Sequence, residues 1–243
     1  VVALVAAWAF ASSVSDLPGP ADTWSQIWAS FAHPLSGDGA GDPGLVSRLA
    51  GSLGRVFGGF GLAVLVGIPL GVMLGASRTA HRMLNPVLQI LRPVSPLAWF
   101  PIGLVVFQAT GTAALFVIFI TAVWPIVLNT AFGVGSVSED HRNVARVFRF
   151  SRATYLRRVL VPHSLPSIVT GLRISMGIAW LVIVAVEMLS GGQGIGFWVW
   201  DSYNAGDIRK VLTAILAIGI VGFALDTVFG ALARRLERTT KGR

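Results

Sequence analysis

The sequence predicts an all-α integral membrane protein of six transmembrane helices, with both termini cytoplasmic. Three observations carry this. First, 54% of the 243 residues are hydrophobic and 12% are charged, where a soluble domain has about 25% charged residues; the mean hydropathy is +0.73. Second, the apolar residues gather into segments that reach or approach the ~20 residues an α-helix needs to cross a ~30 Å hydrocarbon core. These segments run over about 1–15, 48–76, 85–107, 112–134, 164–189 and 210–233, and together form one transmembrane domain. Third, the cations sit on one side. Arg78 and Arg82 follow the second segment. Arg142, Arg146, Arg149, Arg152, Arg157 and Arg158 follow the fourth, and Arg234, Arg235, Arg238, Lys241 and Arg243 close the chain. The opposite connections hold Asp16, Asp22, Asp38, Asp42, Asp201 and Asp207, with Arg209 and Lys210 as their cations. An excess of Lys and Arg marks the cytoplasmic side. The loop 137–163 and the C-terminus are therefore placed inside, and an even number of spans puts the N-terminus there too.

The first span is short. The sequence opens on Val1 rather than Met, and 1–11 is apolar but brief, so a truncated first helix is expected, with further sequence before it. The stretch DLPGPADTWSQIWASF (16–31) is a Pro/Gly turn followed by Trp24, Ile27, Trp28 and Phe31 at i, i+3, i+4 and i+7. Trp favours the membrane interface, which predicts a helix over 22–31 lying on the outer surface. Packing of an ordinary loop helix on the bundle gives the same periodicity. SGDGAGDPG (36–44) is an outer loop.

In the second span, Gly67, Gly71 and Gly75 recur every four residues, as do Gly54 and Gly58. Small residues at this spacing let helices approach closely. The third span carries Pro86, Pro93, Pro96 and Pro101. Proline removes backbone hydrogen bonds, and in a bilayer such breaks survive where they are buried in protein or line a cavity. RPVSPLAWFP (92–101) is thus a candidate pathway-lining segment, with a merely kinked helix as the alternative.

The basic loop reads RNVARVFRFSRATYLRRVLVPHSLPSI (142–168). Arg142, Arg146 and Arg149 form one helical stripe, and Val144, Val147 and Phe148 lie on another face. Phe150 and Ser151 end this helix. Ser151 caps a second one from Arg152, which Pro162 and Pro166 are expected to stop before the fifth span. A fold for reading nucleic-acid bases is absent. A basic helix on anionic lipid and a helix docking into a groove of a cytosolic partner both fit; periodicity does not choose between them.

Ionisable groups inside spans are functional candidates by default. Arg92 and Arg173, near cytoplasmic ends, either draw an exiting anion or snorkel to headgroups. Glu187, toward the outer end of its helix, is expected to be gating or structural, held by a neighbour such as Gln193 or a backbone amide. Asp226 is expected to pair with Arg234 or with another arginine. Gln89, Ser95, Trp99 and Trp180, with backbone amides, are candidates for a weak anion site.

Several chemistries are excluded or unsupported. Without cysteine there is neither a disulfide nor a thiolate metal site. No GK[ST] phosphate loop is present, so ATP is not held in that manner. His33, His81, His141 and His163 are scattered. GGQGIGF (191–197) follows an apolar helix and has no βαβ setting, which removes the dinucleotide reading.

NVARVFRFSRATYLRRVLVPHSLPSIVTGLRISMG resembles the cytoplasmic EAA loop of ABC-importer permeases, in which Glu-Ala-Ala is followed by Gly and then an apolar-x-Leu-Pro. The whole chain is similar to the six-span permeases of the nitrate, bicarbonate, cyanate, taurine and alkanesulfonate group. RVFGGFGLAVLVGIPLGVMLGASR (55–78) and RPVSPLAWFPIGLVVF (92–107) carry the likeness through the spans. AWLVIVAVEMLSGGQGIGFWVWDSYN (179–204) resembles the nitrate and bicarbonate branch most. Asn143 stands at the family's Glu and Arg149 at its Gly, with Val144 and Ala145 at the two Ala positions. The turn must then form without a residue that favours positive φ.

The resemblance implies a type I ABC-importer permease fold in the inner membrane, with no catalysis and no cofactor in this chain. ATP and Mg would sit on two cytosolic ATPase subunits. A second permease subunit, expected to be identical, would share the pathway, and an extracytoplasmic solute-binding protein would deliver the anion. Asn143, Val144, Ala145, Arg146, Phe148, Arg149, Phe150 and Ser151 are the implied ATPase-coupling residues. Gln89, Ser95, Trp99, Arg173, Trp180 and Glu187 are the pathway candidates. The expected cargo is nitrate or nitrite, then bicarbonate or cyanate. A taurine or alkanesulfonate permease, and a non-conducting membrane scaffold, are the alternatives.

Overall fold

The computed structural model describes residues 2–14, 18–32, 43–91 and 93–241, and all their regular structure is helical. The helices are α1 (Val2–Val14), α2 (Pro20–Ala32), α3 (Leu45–Ala76), α4 (Arg78–Leu91), α5 (Trp99–Phe107), α6 (Thr110–Gly135), α7 (Glu139–Val147), α8 (Arg152–Tyr155), α9 (Val161–Ser190), α10 (Ile195–Asn204) and α11 (Ile208–Lys241). Among the described residues, four helical stretches are long and apolar enough to cross a membrane. They are Leu45–Ala76, Thr110–Gly135, Ala153–Ser190 and Ile208–Leu236.

The segment expected as one span over 85–107 is broken. Arg82–Leu91 and Pro96–Phe107 meet at 88°. Pro93 and Pro96 remove two donors beside the break, and Pro96 opens a 3₁₀ turn, Pro96–Ala98, that leads into α5. α1 is 13 residues long, about 20 Å at 1.5 Å per residue, which is short of the hydrocarbon core. Trp24 and Trp28 of α2 are exposed, and Pro20 occupies the first helical position, where its missing N–H is harmless.

The basic loop departs from expectation at its second helix. Pro162 and Pro166 do not stop it. Helix runs on from Arg152 through a π turn, Leu156–Leu160, into α9. Val161 N donates five residues back to Leu156 O. This wider turn accommodates the proline that follows, and Ser164 Oγ donates to Leu160 O at 2.7 Å. The connection 190–210, read as an outer loop, contains α10.

The chain divides into two units, Val1–Arg55 with Ile183–Phe223, and Val56–Val182 with Ala224–Arg243. In the second unit, α3 lies against α6 along a glycine ladder. A Cβ added to Gly59 would stand 2.7 Å from Ile118, and one at Gly67 would stand 2.9 Å from Ile126. At Gly71 it would strike Thr130, and at Gly75 Val134. Both members of each pair advance along the chain together, so α3 and α6 run parallel. The chain between them therefore returns once, which is the work of α4 and α5. Gly54 meets nothing within 4 Å, so that glycine does not belong to the ladder.

α6 and α9 run antiparallel in the same unit. Gly133 faces Ser164 and Ser167, Gly171 faces Asn129, and Ser175 Oγ donates to Ala122 O at 2.7 Å. Val117, Ile118, Ile126, Val127 and Met176 are fully buried along these contacts.

Candidate functional site: coupling helix, cavity and carboxylate cage

The candidate coupling segment forms α7 and the turn after it. Asn143, Val144, Ala145 and Arg146 lie within α7. Val144, Val147, Phe148 and Phe150 are exposed, whereas Ala145 is buried. The Phe148 and Phe150 rings sit 6.4 Å apart. Arg149 has φ 48°, in the left-handed region. Phe150 N donates to Ala145 O at 2.9 Å, the six-to-one bond that closes a helix over a left-handed residue. The turn that a glycine would make freely is therefore made by an arginine, at about 1–2 kcal/mol for an L side chain. Ser151 Oγ accepts from Thr154 N at 3.2 Å and caps the next helix.

A cavity of about 470 Å³ opens in the second unit. Val94 and Pro96 border it from the break, Trp99 from α5, Thr121, Trp124 and Asn129 from α6, and Ile174 and Ile178 from α9. Among the described residues, two indoles, a hydroxyl and an amide give it polar but uncharged groups. Thr121 Oγ1 donates to Val117 O at 2.7 Å, and Asn129 Nδ2 to Pro125 O at 2.8 Å. Each donates to a carbonyl one turn back along α6, the second to that of Pro125.

In the first unit, Glu187 is 2% exposed and every contact to it is a donor. Arg55 Nη1 reaches Oε1 at 2.6 Å, Ser52 Oγ reaches Oε2 at 2.8 Å, and Gly196 N reaches Oε2 at 3.0 Å. Ser52 Oγ in turn accepts from Ile195 N at 3.0 Å. The last two N–H groups belong to the first turn of α10, which carries positive partial charge. Gly194 has φ 151°, and a Cβ there would strike the carboxylate; one at Gly196 would strike Val184 O. GGQGIGF is thus a close backbone wrap over a buried acid. Arg48 adds a guanidinium 5.7 Å from the centre of the Trp198 ring.

Of the pathway candidates, Trp99 alone lines the 470 Å³ cavity. Gln89 on α4 is exposed, and Ser95 precedes the 3₁₀ turn at the break. Trp180 is buried on α9. Arg173 gives Nε and Nη2 to the two oxygens of Asp226, both at 2.7 Å. Arg92 lies outside the described residues. Sequence reasoning passed over Thr121, Trp124 and Asn129, although their spacing along one face of a span, next to Pro125, was a usable signal. It also passed over Ser52 and Arg55, which lie inside an expected span opposite a lone carboxylate.

Four long apolar helical stretches and a bent helix pair give the chain the features of a multi-pass membrane protein. Residues 67–241 match the family described as "Binding-protein-dependent transport system inner membrane component", and the chain belongs to that family of ABC-transporter permeases. It is a transport component of the cytoplasmic membrane, not an enzyme, and membership implies an ATPase and a solute-binding protein as partners. It is 45% identical over 217 residues to the nitrate import permease protein NrtB of Leptolyngbya laminosa, across 89% of this chain and 78% of the relative. It is 44% identical over 230 residues to the bicarbonate transport system permease protein CmpB of Synechococcus elongatus, across 93% and 83%. The taurine transport system permease protein TauC of Escherichia coli is 36% identical over 195 residues, across 80% and 71%. The fold matches the MetNI methionine ABC transporter in an inward-facing form with TM-score 0.70 and 17% identity, over 79% of this chain and 95% of that one.

Proposed function

We propose that the chain is the permease subunit of an ATP-driven importer for a small inorganic anion, nitrate or nitrite first and bicarbonate or cyanate next. The observation that carries this is the 44–45% identity to nitrate and bicarbonate permeases across most of the chain. The lower identity to the taurine permease ranks an organosulfonate behind them.

The chain crosses the membrane six times in this reading, with the bent α4–α5 pair as the third crossing and α1 as part of the first. Both termini are cytoplasmic. The parallel register of α3 and α6 supports an odd number of crossings between them. Two copies enclose the pathway. The ATPase, which holds ATP and Mg, docks on α7 and its turn through Val144, Phe148 and Phe150. Ala145, Arg149 and Ser151 shape that surface, because the Phe150 N to Ala145 O bond over Arg149 and the Ser151 cap close the turn. The anion passes the cavity at Trp99, Thr121, Trp124 and Asn129. Weak, uncharged recognition there fits a system whose binding protein supplies most of the specificity.

The test is reconstitution of the permease with its ATPase and binding protein in vesicles, with uptake of nitrate, bicarbonate and taurine compared under ATP. Nitrate or bicarbonate uptake that requires all components is expected. Uptake of taurine alone would overturn the substrate reading, and no uptake of any of the three the importer reading.

A further inference from the structure

Two cavities of the second unit share a wall. Ile174 and Ile178, one turn apart on α9, line both the tryptophan cavity and a second cavity of about 540 Å³. Among the described residues, the first lining has no charge. The second contains Arg173, Asp226 and Arg234, two guanidiniums against one carboxylate. Asp226, Gly230 and Arg234 recur every four residues on one face of α11. Gly230 leaves that face bare where the guanidiniums converge. The Arg173 guanidinium carbon lies 3.4 Å, and Arg234 Nη1 3.5 Å, from the place a Cβ on Gly230 would take. Arg173 already holds a flat, two-oxygen anion, the Asp226 carboxylate, in a bidentate grip. Arg234 makes no hydrogen bond or ion pair among the described residues, so one positive charge is left over. The pair is not sealed in: Arg173 is 44% and Asp226 56% exposed, and both line the second cavity. An anion of the same shape can therefore exchange against the carboxylate.

We propose that Arg173 and Arg234 form an exit site for the transported planar oxyanion, reached from the tryptophan cavity past Ile174 and Ile178. Asp226 is its internal counter-ion. The carboxylate closes the site when it is empty and displaces the cargo after it arrives, so that the site attracts without trapping. This rests on the anion-importer reading. A phosphate headgroup of an anionic lipid offers the same recognition chemistry, so the test separates the two.

Nitrate binding is measured on the permease–ATPase complex without binding protein, in nanodiscs of phosphatidylcholine alone or with phosphatidylglycerol; uptake is measured in vesicles of the same lipids. Co-purification with the ATPase controls for folding. Asp226→Asn is expected to bind nitrate about tenfold more tightly, the effect of roughly one favourable charge interaction, and to import it more slowly. Arg234→Gln is expected to bind it about tenfold more weakly. The apolar pair Arg173→Met with Asp226→Leu keeps the packing without the charges; it is expected to assemble and to lose uptake. Wild-type uptake by the apolar pair would make the ion pair structural and overturn the proposal. A nitrate affinity that responds to Asp226→Asn only when phosphatidylglycerol is present would assign the site to a headgroup instead. A wild-type complex that imports neither nitrate nor bicarbonate would remove the importer reading, and the exit site with it.

Discussion

Glu187→Gln keeps the shape of the buried acid and removes its charge. One oxygen of the new amide can still accept from Gly196 N and Ser52 Oγ, but its NH2 then faces Arg55, donor against donor. Removing one partner of a buried ion pair costs about 3–5 kcal/mol when the survivor is sealed in. Arg55 is 27% exposed and regains part of its hydration, which lowers the loss to about 2–3 kcal/mol on the same scale. At about 2–4 °C per kcal/mol for a chain of this size, the variant should melt about 4–12 °C below wild type. Arg55→Met is the more damaging change, because it leaves a carboxylate that is 2% exposed with neutral donors only. The double variant Arg55→Met with Glu187→Gln removes that stranded charge and should be more stable than Arg55→Met alone. Thermal unfolding of the purified complex in nanodiscs, followed by tryptophan fluorescence, measures all four corners of this cycle. A double variant whose loss equals the sum of the two singles would falsify the cage, since it would mean that Arg55 and Glu187 act independently.

Four further outcomes follow from the geometry. Gly71→Val should abolish assembly, because a Cβ there already strikes Thr130; co-purification with the ATPase reads this, and Gly54→Ala, in open space, should assemble as wild type. Thr130 Oγ1 is buried with no hydrogen-bond partner among the described residues, so Thr130→Val should leave stability unchanged or raise it by up to about 1–3 kcal/mol of recovered desolvation, read as an unchanged or higher melting temperature. Arg149→Gly should stabilise the turn by about 1 kcal/mol and Arg149→Val should destabilise it, since a β-branched residue tolerates φ 48° poorly; hydrogen exchange at Phe150 N reports the difference. Val144→Asp with Phe148→Asp should leave the bundle folded, because both side chains are exposed, while binding-protein-stimulated ATP hydrolysis falls at least tenfold; normal hydrolysis would remove α7 as the docking element.

What the sequence made legible was whatever repeats along one helix. Hydropathy located α3, α6, α9 and α11, and the four-residue spacing of Gly67, Gly71 and Gly75 announced a close-packed face. The prolines of 92–101 announced a break, though not its 88° angle, which depends on how the freed backbone is re-used. Chemistry that joins distant positions was not legible. Arg55 and Glu187 are 132 residues apart, and each taken alone is an isolated charge in a span. Asp226 was expected to find an arginine, but the choice of Arg173 over Arg234 depends on which part of α9 packs beside this turn of α11. Pro162 misled because a local rule, that proline stops a helix, lost to a π turn that absorbs it. Arg149 misled in the opposite direction: the residue departs from the family pattern while the backbone keeps the conformation the pattern calls for.

At Gly59, Gly67, Gly71 and Gly75 the contact between α3 and α6 consists, on one side, of hydrogen atoms. A face without side chains has no rotamers to rearrange, so it can neither swell nor slide by small repacking steps. Gly59, Gly67, Gly71 and Gly75 key into Ile118, Ile126, Thr130 and Val134 like a rack into its teeth, and moving one helix along the other would mean lifting every tooth at once. These two helices therefore travel as a single plank. Any rearrangement within this unit then falls to the parts that are not so keyed, the bent junction between α4 and α5 among them.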